Sequence, residues 1–286
     1  MDDRPIGMFD SGFGGLTVAR ALIDLLPNED LVYVGDTARY PYGPRDLAEV
    51  RGFAAEITRK LVDEDDVKLV VVACNTSTAA ALEQLRYEFD VPLVGVIDAG
   101  VRALLSVTRS GRVGVIGTSG TISSGAYQKA VAGRRRPLPG GRKVELFSQA
   151  CPGFVELVEQ GQVRSSEAVE LATRLLAPVR EAGVDSLLLG CTHYPYLART
   201  ISEVMGPDVV LVSSADETAF EVREILLETG LGRRSNSKGR HRWVSSGEVA
   251  PFVSLGRHLF GPELDAAEHW EPASFARLPG SPRAAV

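Results

Sequence analysis

The sequence predicts an α/β fold: two similar domains with mainly parallel sheets flanked by helices, and a site in the cleft between them. Three observations carry this expectation. Short runs that are apolar throughout alternate with amphipathic stretches of helical period. Runs of that kind suit parallel strands covered on both faces by helices. The pattern also recurs. Gly7-Met8-Phe9-Asp10-Ser11-Gly12 resembles Gly114-Val115-Ile116-Gly117-Thr118-Ser119, and the run Leu69–Thr76 resembles Leu187–His193, each pair at nearly the same separation.

The expected strands are Ile6–Phe9, Leu31–Val34, Lys68–Ala73, Pro92–Val96, Arg112–Ile116, Val144–Phe147, Asp185–Leu189 and Val209–Val212. Bounded, strand-length apolar runs are their signal. The expected helices include Leu16–Leu26, Asp46–Val62, Thr78–Phe89, Ser166–Glu181 and Glu217–Leu227. Four strands complete the first unit, so a break is expected near Ile97–Gly100. The second unit then ends near Val212. The segment Asp216–Leu259 holds a long helix, a short strand at Arg242–Ser245 and another helix, and is expected to return to the first unit. The division is therefore 1–98 with about 213–265, then 99–212. Residues 266–286, rich in Pro, Ala and Arg toward the end, read as a flexible tail.

The chain has 286 residues, enough for two cores, with 44% hydrophobic and 24% charged residues, as in ordinary globular proteins. Its net charge of −6 argues against direct nucleic-acid contact, which leans on clustered Lys and Arg. The run Arg134-Arg135-Arg136, beside Pro137 and Gly140, reads as a solvated loop. No stretch approaches a membrane span, and the acidic start lacks a signal peptide's basic and apolar regions. The expected location is the cytoplasm, with no membrane partner. Three cysteines, Cys74, Cys151 and Cys191, fit free thiols in a reducing compartment.

Five segments are expected at carboxyl ends of strands, where open α/β sheets hold ligands. They are Asp10-Ser11-Gly12-Phe13-Gly14-Gly15, Pro41-Tyr42-Gly43, Cys74-Asn75-Thr76, Gly117-Thr118-Ser119-Gly120-Thr121 and Cys191-Thr192-His193. Each alone could be turn or cap chemistry. Together they point to a cleft lined by small polar groups. The glycine loop does not fit a nucleotide: Gly12-x-Gly14-Gly15 lacks the dinucleotide spacing and a Walker lysine, and Asp10 would repel a pyrophosphate. No Lys lies in these segments, which removes a Schiff base, and no zinc ligand set is visible. Neither a cofactor nor a metal is expected.

A carboxylate held here would rest on backbone N–H groups, Ser11, Asn75, Thr76, Thr118, Thr121 and Thr192, helped by helix N-termini. Two thiols in equivalent half-sites suit an acid and a base on opposite sides of one carbon. Each thiol needs a local aid to ionise. His193 could relay a proton for Cys191 if the backbone there is extended, and Asp10 could do so for Cys74.

At these residues the chain resembles the glutamate racemases, cofactor-independent enzymes that supply D-glutamate for peptidoglycan. The resemblance runs from about Ile6 to Phe260. It rests on an ordered set of motifs: Phe9-Asp10-Ser11-Gly12-x-Gly14-Gly15-Leu16, Pro41-Tyr42-Gly43, Ala73-Cys74-Asn75-Thr76, Gly114-Val115-Ile116-Gly117-Thr118 with Thr121, Cys151-Pro152-x-Phe154-Val155 with Glu159, and Gly190-Cys191-Thr192-His193-Tyr194-Pro195. It implies that Cys74 and Cys191 are the two acid/base residues, for the D- and L-enantiomer's proton respectively. Asp10, Glu159 and His193 match the supporting groups. Ser11, Pro41, Tyr42, Gly43, Asn75, Thr76, Thr118, Thr121 and Thr192 fall in the substrate-contact motifs. It also implies two domains closing on glutamate, in a homodimer.

Two other kinds of reading compete. One is a racemase of another acidic amino acid such as aspartate. Aspartate racemases usually carry Glu where this chain has His193, and usually lack the Asp10-Ser11-Gly12 start. The other is a module that binds an amino acid or a protein without catalysis, which would need no acid/base pair of thiols.

Overall fold

The computed structural model describes residues 2–134, 141–235 and 237–273. Its strands form two sheets, and every pairing is parallel. The first contains β1 (Ile6–Asp10), β2 (Leu31–Gly35), β3 (Leu69–Val72), β4 (Leu93–Gly95), β9 (His241–Ser245) and β10 (Glu268–His269), in the order β10-β9-β2-β1-β3-β4. The second contains β5 (Arg112–Gly117), β6 (Glu145–Ala150), β7 (Ser186–Gly190) and β8 (Val210–Val212), in the order β6-β5-β7-β8. The central strands β1, β2, β3 and β7 are buried along their whole length. That is the physical reason their sequences show no polar alternation.

Helices cover both sheets. α1 (Leu16–Leu25), α2 (Leu47–Arg59), α3 (Asn75–Glu88) and α4 (Val96–Val107) follow the first four strands. α5 (Ser119–Ser123) and α6 (Ala126–Ala132) follow β5, and α7 (Phe154–Glu159) and α8 (Ser166–Glu181) follow β6. α9 (Ala198–Met205), α10 (Ala215–Thr229) and α11 (Val249–Leu259) complete the set. Local chemistry fixes several starts. Asp46 caps α2 by accepting from the Ala48 N–H at 2.7 Å, and Ser165 caps α8 by accepting from the Ala168 N–H at 3.1 Å.

The strand expected to run to Val96 ends at Gly95, where α4 begins at once. The break expected between residues 98 and 99 falls inside this helix. The apolar run from Leu93 onward changes from strand to helix without a turn residue beyond Gly95, so its composition alone hides the change. α4 is also shared by the two halves. A Cβ on Gly100 would stand 3.1 Å from Leu188 of β7, and Arg102 bonds Glu217 and Glu221 of α10. α10 in turn buries Ala219, Val222 and Leu226 with Ile6, Met8 and Leu16 under the first sheet. The tail expected from residue 266 does not start there. Glu268–His269 pairs with Val244–Ser245, and the Trp270 N–H donates to Ser245 O at 2.9 Å. Residues 274–286, and Arg135–Arg136 of the basic run, lie outside the described residues.

Register places the site. Phe9 lies opposite Val72, so Asp10 and Ala73 emerge side by side. Gly117 lies opposite both Gly190 and Ala150, so Thr118, Cys191 and Cys151 leave the second sheet at one level. These are carboxyl ends of parallel strands, where the following loops converge.

Candidate active site

The loop after β1 is shaped by close packing. Asp10 is fully buried, and its Oδ2 accepts from the Gly12 N–H at 3.0 Å. Tyr33 OH donates to Gly12 O at 3.0 Å. A Cβ on Gly14 would overlap Thr192 Oγ1 and His193 Nδ1, and one on Gly15 would come within 2.6 Å of the Asp10 Cβ. These glycines let the first sheet's loop press against the second sheet's Thr192 and His193. Thr192 Oγ1 completes the junction by donating to Asp10 Oδ1 at 3.4 Å. Asp10 therefore bridges the two halves, and its oxygens are engaged by Gly12 and Thr192. Its influence on Cys74 is through charge.

Cys74 is the N-cap of α3, with extended backbone (φ −83°, ψ 124°). Its thiol donates to Ser11 Oγ at 3.8 Å. Burial, and then the Asp10 charge, push this thiol up to about 11, while the side chain and N–H of Ser77 act in the opposite sense. The helix was expected to start at Thr78; it starts at Asn75, which makes Cys74 its cap.

Cys191 follows β7 and precedes a short 3₁₀ turn, Tyr194–Leu197. The backbone at His193 is helical (φ −79°, ψ −28°), so the extended geometry on which the sequence made the relay conditional is not what this segment adopts. The Tyr194 N–H bonds back to Cys191 O at 3.0 Å, and the resulting turn brings His193 Nδ1 to 4.0 Å from Cys191 Sγ. His193 Nε2 meets Glu159 Oε1, at the end of α7, at 3.2 Å. Burial disfavours charge on the ring. The hydrogen bonds to Cys191 and Glu159 outweigh it and push His193 up to about 10. A line Cys191–His193–Glu159 results, with Tyr40 beside it, ring centroids 6.3 Å apart from His193.

Pro41-Tyr42-Gly43 lies in the long loop between β2 and α2, not directly after the strand. Buried Asp36 anchors this loop by accepting from Arg39 Nε at 2.7 Å, Tyr42 OH and Ser246 Oγ at 2.6 Å. The Tyr42 hydroxyl is thereby engaged away from any ligand, and Arg39 is paired with Asp36 and Glu56. Gly43 O accepts from the Gly120 N–H at 2.9 Å, and a Cβ on Gly43 would press on Thr118 at 2.9 Å.

Thr76, Thr118 and Thr121 form a triangle of hydroxyls with sides of 3.0, 3.1 and 2.9 Å, joining α3 to the start of α5. Asn75 Nδ2 donates to Tyr127 OH at 2.8 Å, and its Oδ1 has no hydrogen-bond partner.

These groups enclose one cavity. It is lined by Ser11, Pro41, Tyr42, Gly43, Cys74, Asn75, Thr76, Thr118, Cys191, Thr192 and His193 from the expected set. Asp10, Thr121 and Glu159 stand behind this lining and bond to it. Tyr40 and Glu156 lie outside the expected segments and motifs, and Ser119, Tyr194 and Cys151 lie within them without an assigned role; all five line the cavity. The motif Cys151-Pro152-x-Phe154 was the available signal for the last. Among the described lining residues none is Lys or Arg, so an anion here would meet neutral donors and the His193 ring. The free space is about 100 Å³. Roughly 10–15 Å³ of such space holds one water, so the cavity has room for an amino acid of about ten heavy atoms.

Both thiols open onto this one cavity, Cys74 from the first sheet and Cys191 from the second. The arrangement can hold a small zwitterion and exchange protons with it from two sides.

Comparison with known proteins bears on this geometry. The family model described as Asp/Glu/Hydantoin racemase matches residues 15–221. A glutamate racemase from Acidothermus cellulolyticus is 49% identical over 265 residues, 92% of this chain and 98% of that protein. The solved structure of a glutamate racemase isoform from Bacillus anthracis matches with a TM-score of 0.86 at 38% identity, covering 95% of this chain and 98% of that one. The glutamate racemase from Francisella tularensis, solved in complex with D-glutamate, matches with a TM-score of 0.86 at 33% identity, covering 96% of this chain and all of that one.

Proposed function

The chain belongs to the Asp/Glu/Hydantoin racemase family, among its glutamate racemases, and from that premise we propose that the Cα proton of glutamate passes between Cys74 and Cys191. The observation that carries this reading is the single cavity onto which both thiols open from different sheets. A planar carbanion between them is deprotonated on one face and reprotonated on the other.

The surroundings distinguish the two thiols. Cys74, pushed up to about 11, is protonated at neutral pH and serves as the acid in the L-to-D direction. Cys191 faces a His193 ring that holds its proton up to about 10, so negative charge developing on the sulfur is met by a cation. Glu159 orients that ring. In the D-to-L direction the roles exchange. Ser11, Asn75, Thr76, Thr118 and Thr192 hold the substrate's carboxylates and ammonium, with Thr121 ordering the hydroxyls and Asp10 the Thr192 side. Pro41, Tyr42 and Gly43 form the wall beside Thr118. No cofactor has a part in this scheme.

The same reading makes the product a D-glutamate supply for peptidoglycan, and so for cell shape, in a cytoplasmic enzyme that works as a homodimer. The three buried free thiols suit a reducing compartment. Among the described residues no helix is long and apolar enough to cross a membrane.

Incubation with pure L-glutamate and no additive should end in equal amounts of the two enantiomers, since mirror images have equal free energies. Persistent optical rotation from folded protein would refute racemisation, and faster turnover of aspartate in parallel would reassign the substrate.

A further inference from the structure

A thiol that must become a thiolate during turnover needs donors that are idle until then. Cys191 has His193 for this. Cys74 has no comparable cation beside it: its contact with Ser11 is one in which the thiol is the donor. Asp10 raises the cost of ionising it.

The first turn of α3 holds what is missing. Cys74 occupies the N-cap with extended backbone, the position whose side chain accepts from the N–H of the second or third helical residue. Ser77 is that third residue. The first-turn N–H groups of a helix have no partner within the helix. Cys74 makes no side-chain cap hydrogen bond as the neutral thiol. Ser77 is fully buried, and its hydroxyl has no hydrogen-bond partner. A buried hydroxyl without a partner costs free energy unless something calls on it.

We propose that Ser77 is a positioning residue for the reaction, whose hydroxyl and N–H receive the Cys74 thiolate when Cys74 acts as the base on D-glutamate. This deepens the two-thiol reading and rests on it. In the thiol state the Cys74 proton is directed to Ser11 and the Ser77 hydroxyl is idle. On ionisation the Ser77 O–H rotates onto the sulfur and the thiolate completes the helix cap. The interaction exists only in the charged state, so it favours the step that forms the thiolate rather than the bound substrate. It gives Cys74 a counterpart to His193 built from a helix start instead of a side-chain cation.

Other groups that titrate around Cys74 are Asp10 from β1, Tyr33 from β2, Tyr42 from the loop after β2, and Cys191 after β7. Charge on Asp10 or Cys191 raises the Cys74 thiol. Burial holds Tyr33 and Tyr42 well above their ordinary range, so both stay neutral. Substituting Ser77 alters none of these groups.

The test is alkylation of the full-length protein by iodoacetamide across pH, resolved at Cys74 by peptide mass spectrometry. It reads the acidity of the thiol whether or not the protein racemises anything. Ser77→Ala removes an unpaired buried hydroxyl, so the fold should keep its stability. The Cys74 profile of this variant is expected to move up by about one pH unit, a tenfold slower reaction at any pH below the midpoint. The Cys191 profile should stay in place, and kcat for D-glutamate should fall more than kcat for L-glutamate. An unmoved Cys74 profile in folded Ser77→Ala overturns the proposal. So does a marked loss of melting temperature, which would show that the hydroxyl is structural. A moved profile in a protein that does not racemise glutamate would instead retain Ser77 as the thiolate donor and remove the racemase reading.

Discussion

His193 Nε2 stands 3.2 Å from Glu159 Oε1, across 34 positions of sequence, while Nδ1 of the same ring faces Cys191 Sγ at 4.0 Å. The ring is thus fixed at both nitrogens. Its cationic form donates from both nitrogens, to Glu159 and toward Cys191, and persists up to about 10 against the opposing effect of burial. The Cys191 thiol consequently lies beside a buried cation whose position α7 sets.

Glu159→Gln removes the carboxylate and keeps the shape. His193 has an ordinary value of 6.5 and is raised in the folded protein, so its charge stabilises the fold fully below pH 6.5. That contribution is lost as pH rises through about 10. The variant should be about 1–2 kcal/mol less stable near neutral pH. Thermal melting should show the gap to the parent closing toward pH 10. A gap that widens with pH would contradict the assignment of charge to His193. In kinetics, kcat/KM must fall equally in both directions, because the equilibrium cannot change. The larger isotope effect with Cα-deuterated substrate should move to the L-to-D direction.

Gly14→Ala should fold and lose activity. Its Cβ would meet Thr192 Oγ1 and His193 Nδ1, so one or both must move. A displacement of about 1 Å at such a site costs on the order of a hundredfold in rate. Steady-state kinetics beside a melting curve would separate this from misfolding. Full activity would show that the close approach of the two halves is not needed for turnover.

Thr121→Val breaks two sides of the hydroxyl triangle without touching the cavity surface. Thr76 and Thr118 keep each other but lose their fixed orientation. KM for glutamate should rise about tenfold, the equivalent of roughly one hydrogen bond. An unchanged KM would remove the triangle from substrate binding.

The two thiols and the small polar segments were legible because each is a local motif ending an apolar run. Their mutual placement was legible only as an inference from the repeat. Ser77 was missed because the helix was expected to begin at Thr78, which left Cys74 outside any cap; its actual start at Asn75 makes the third helical residue a natural donor. From the sequence, the Cys191–His193 approach was conditional on an extended backbone. The observed turn achieves it through the Tyr194 N–H bond to Cys191 O. Tyr40 comes into the cavity by the path of the loop between β2 and α2, and Glu156 from the first turn of the short helix α7; neither leaves a periodic signal. α4 was invisible because nothing but Gly95 marks the change from strand to helix.

Cys151 lines the cavity but has no assigned part in proton transfer. Burial, and then Cys191, push its thiol from 9.0 up to about 12. A raised acid stabilises the fold below its unfolded value and loses that contribution as pH rises through the folded one. Cys151→Ala should therefore racemise at a rate within about tenfold of the parent. Its melting temperature should fall less steeply between pH 9.0 and about 12. An inactive, folded Cys151→Ala would show that the third thiol belongs to the chemistry.

The two-thiol transfer is tested most directly by brief turnover of L-glutamate in deuterated water, with both enantiomers recovered and their Cα label read by mass spectrometry. If Cys191 removes the proton on one face and Cys74 supplies another on the opposite face, early D-glutamate carries deuterium at Cα while recovered L-glutamate remains protiated. Cys74→Ser and Cys191→Ser should each abolish formation of the D-enantiomer. Early D-glutamate that retains the substrate's own proton would mean that one group serves both faces, and would contradict the account.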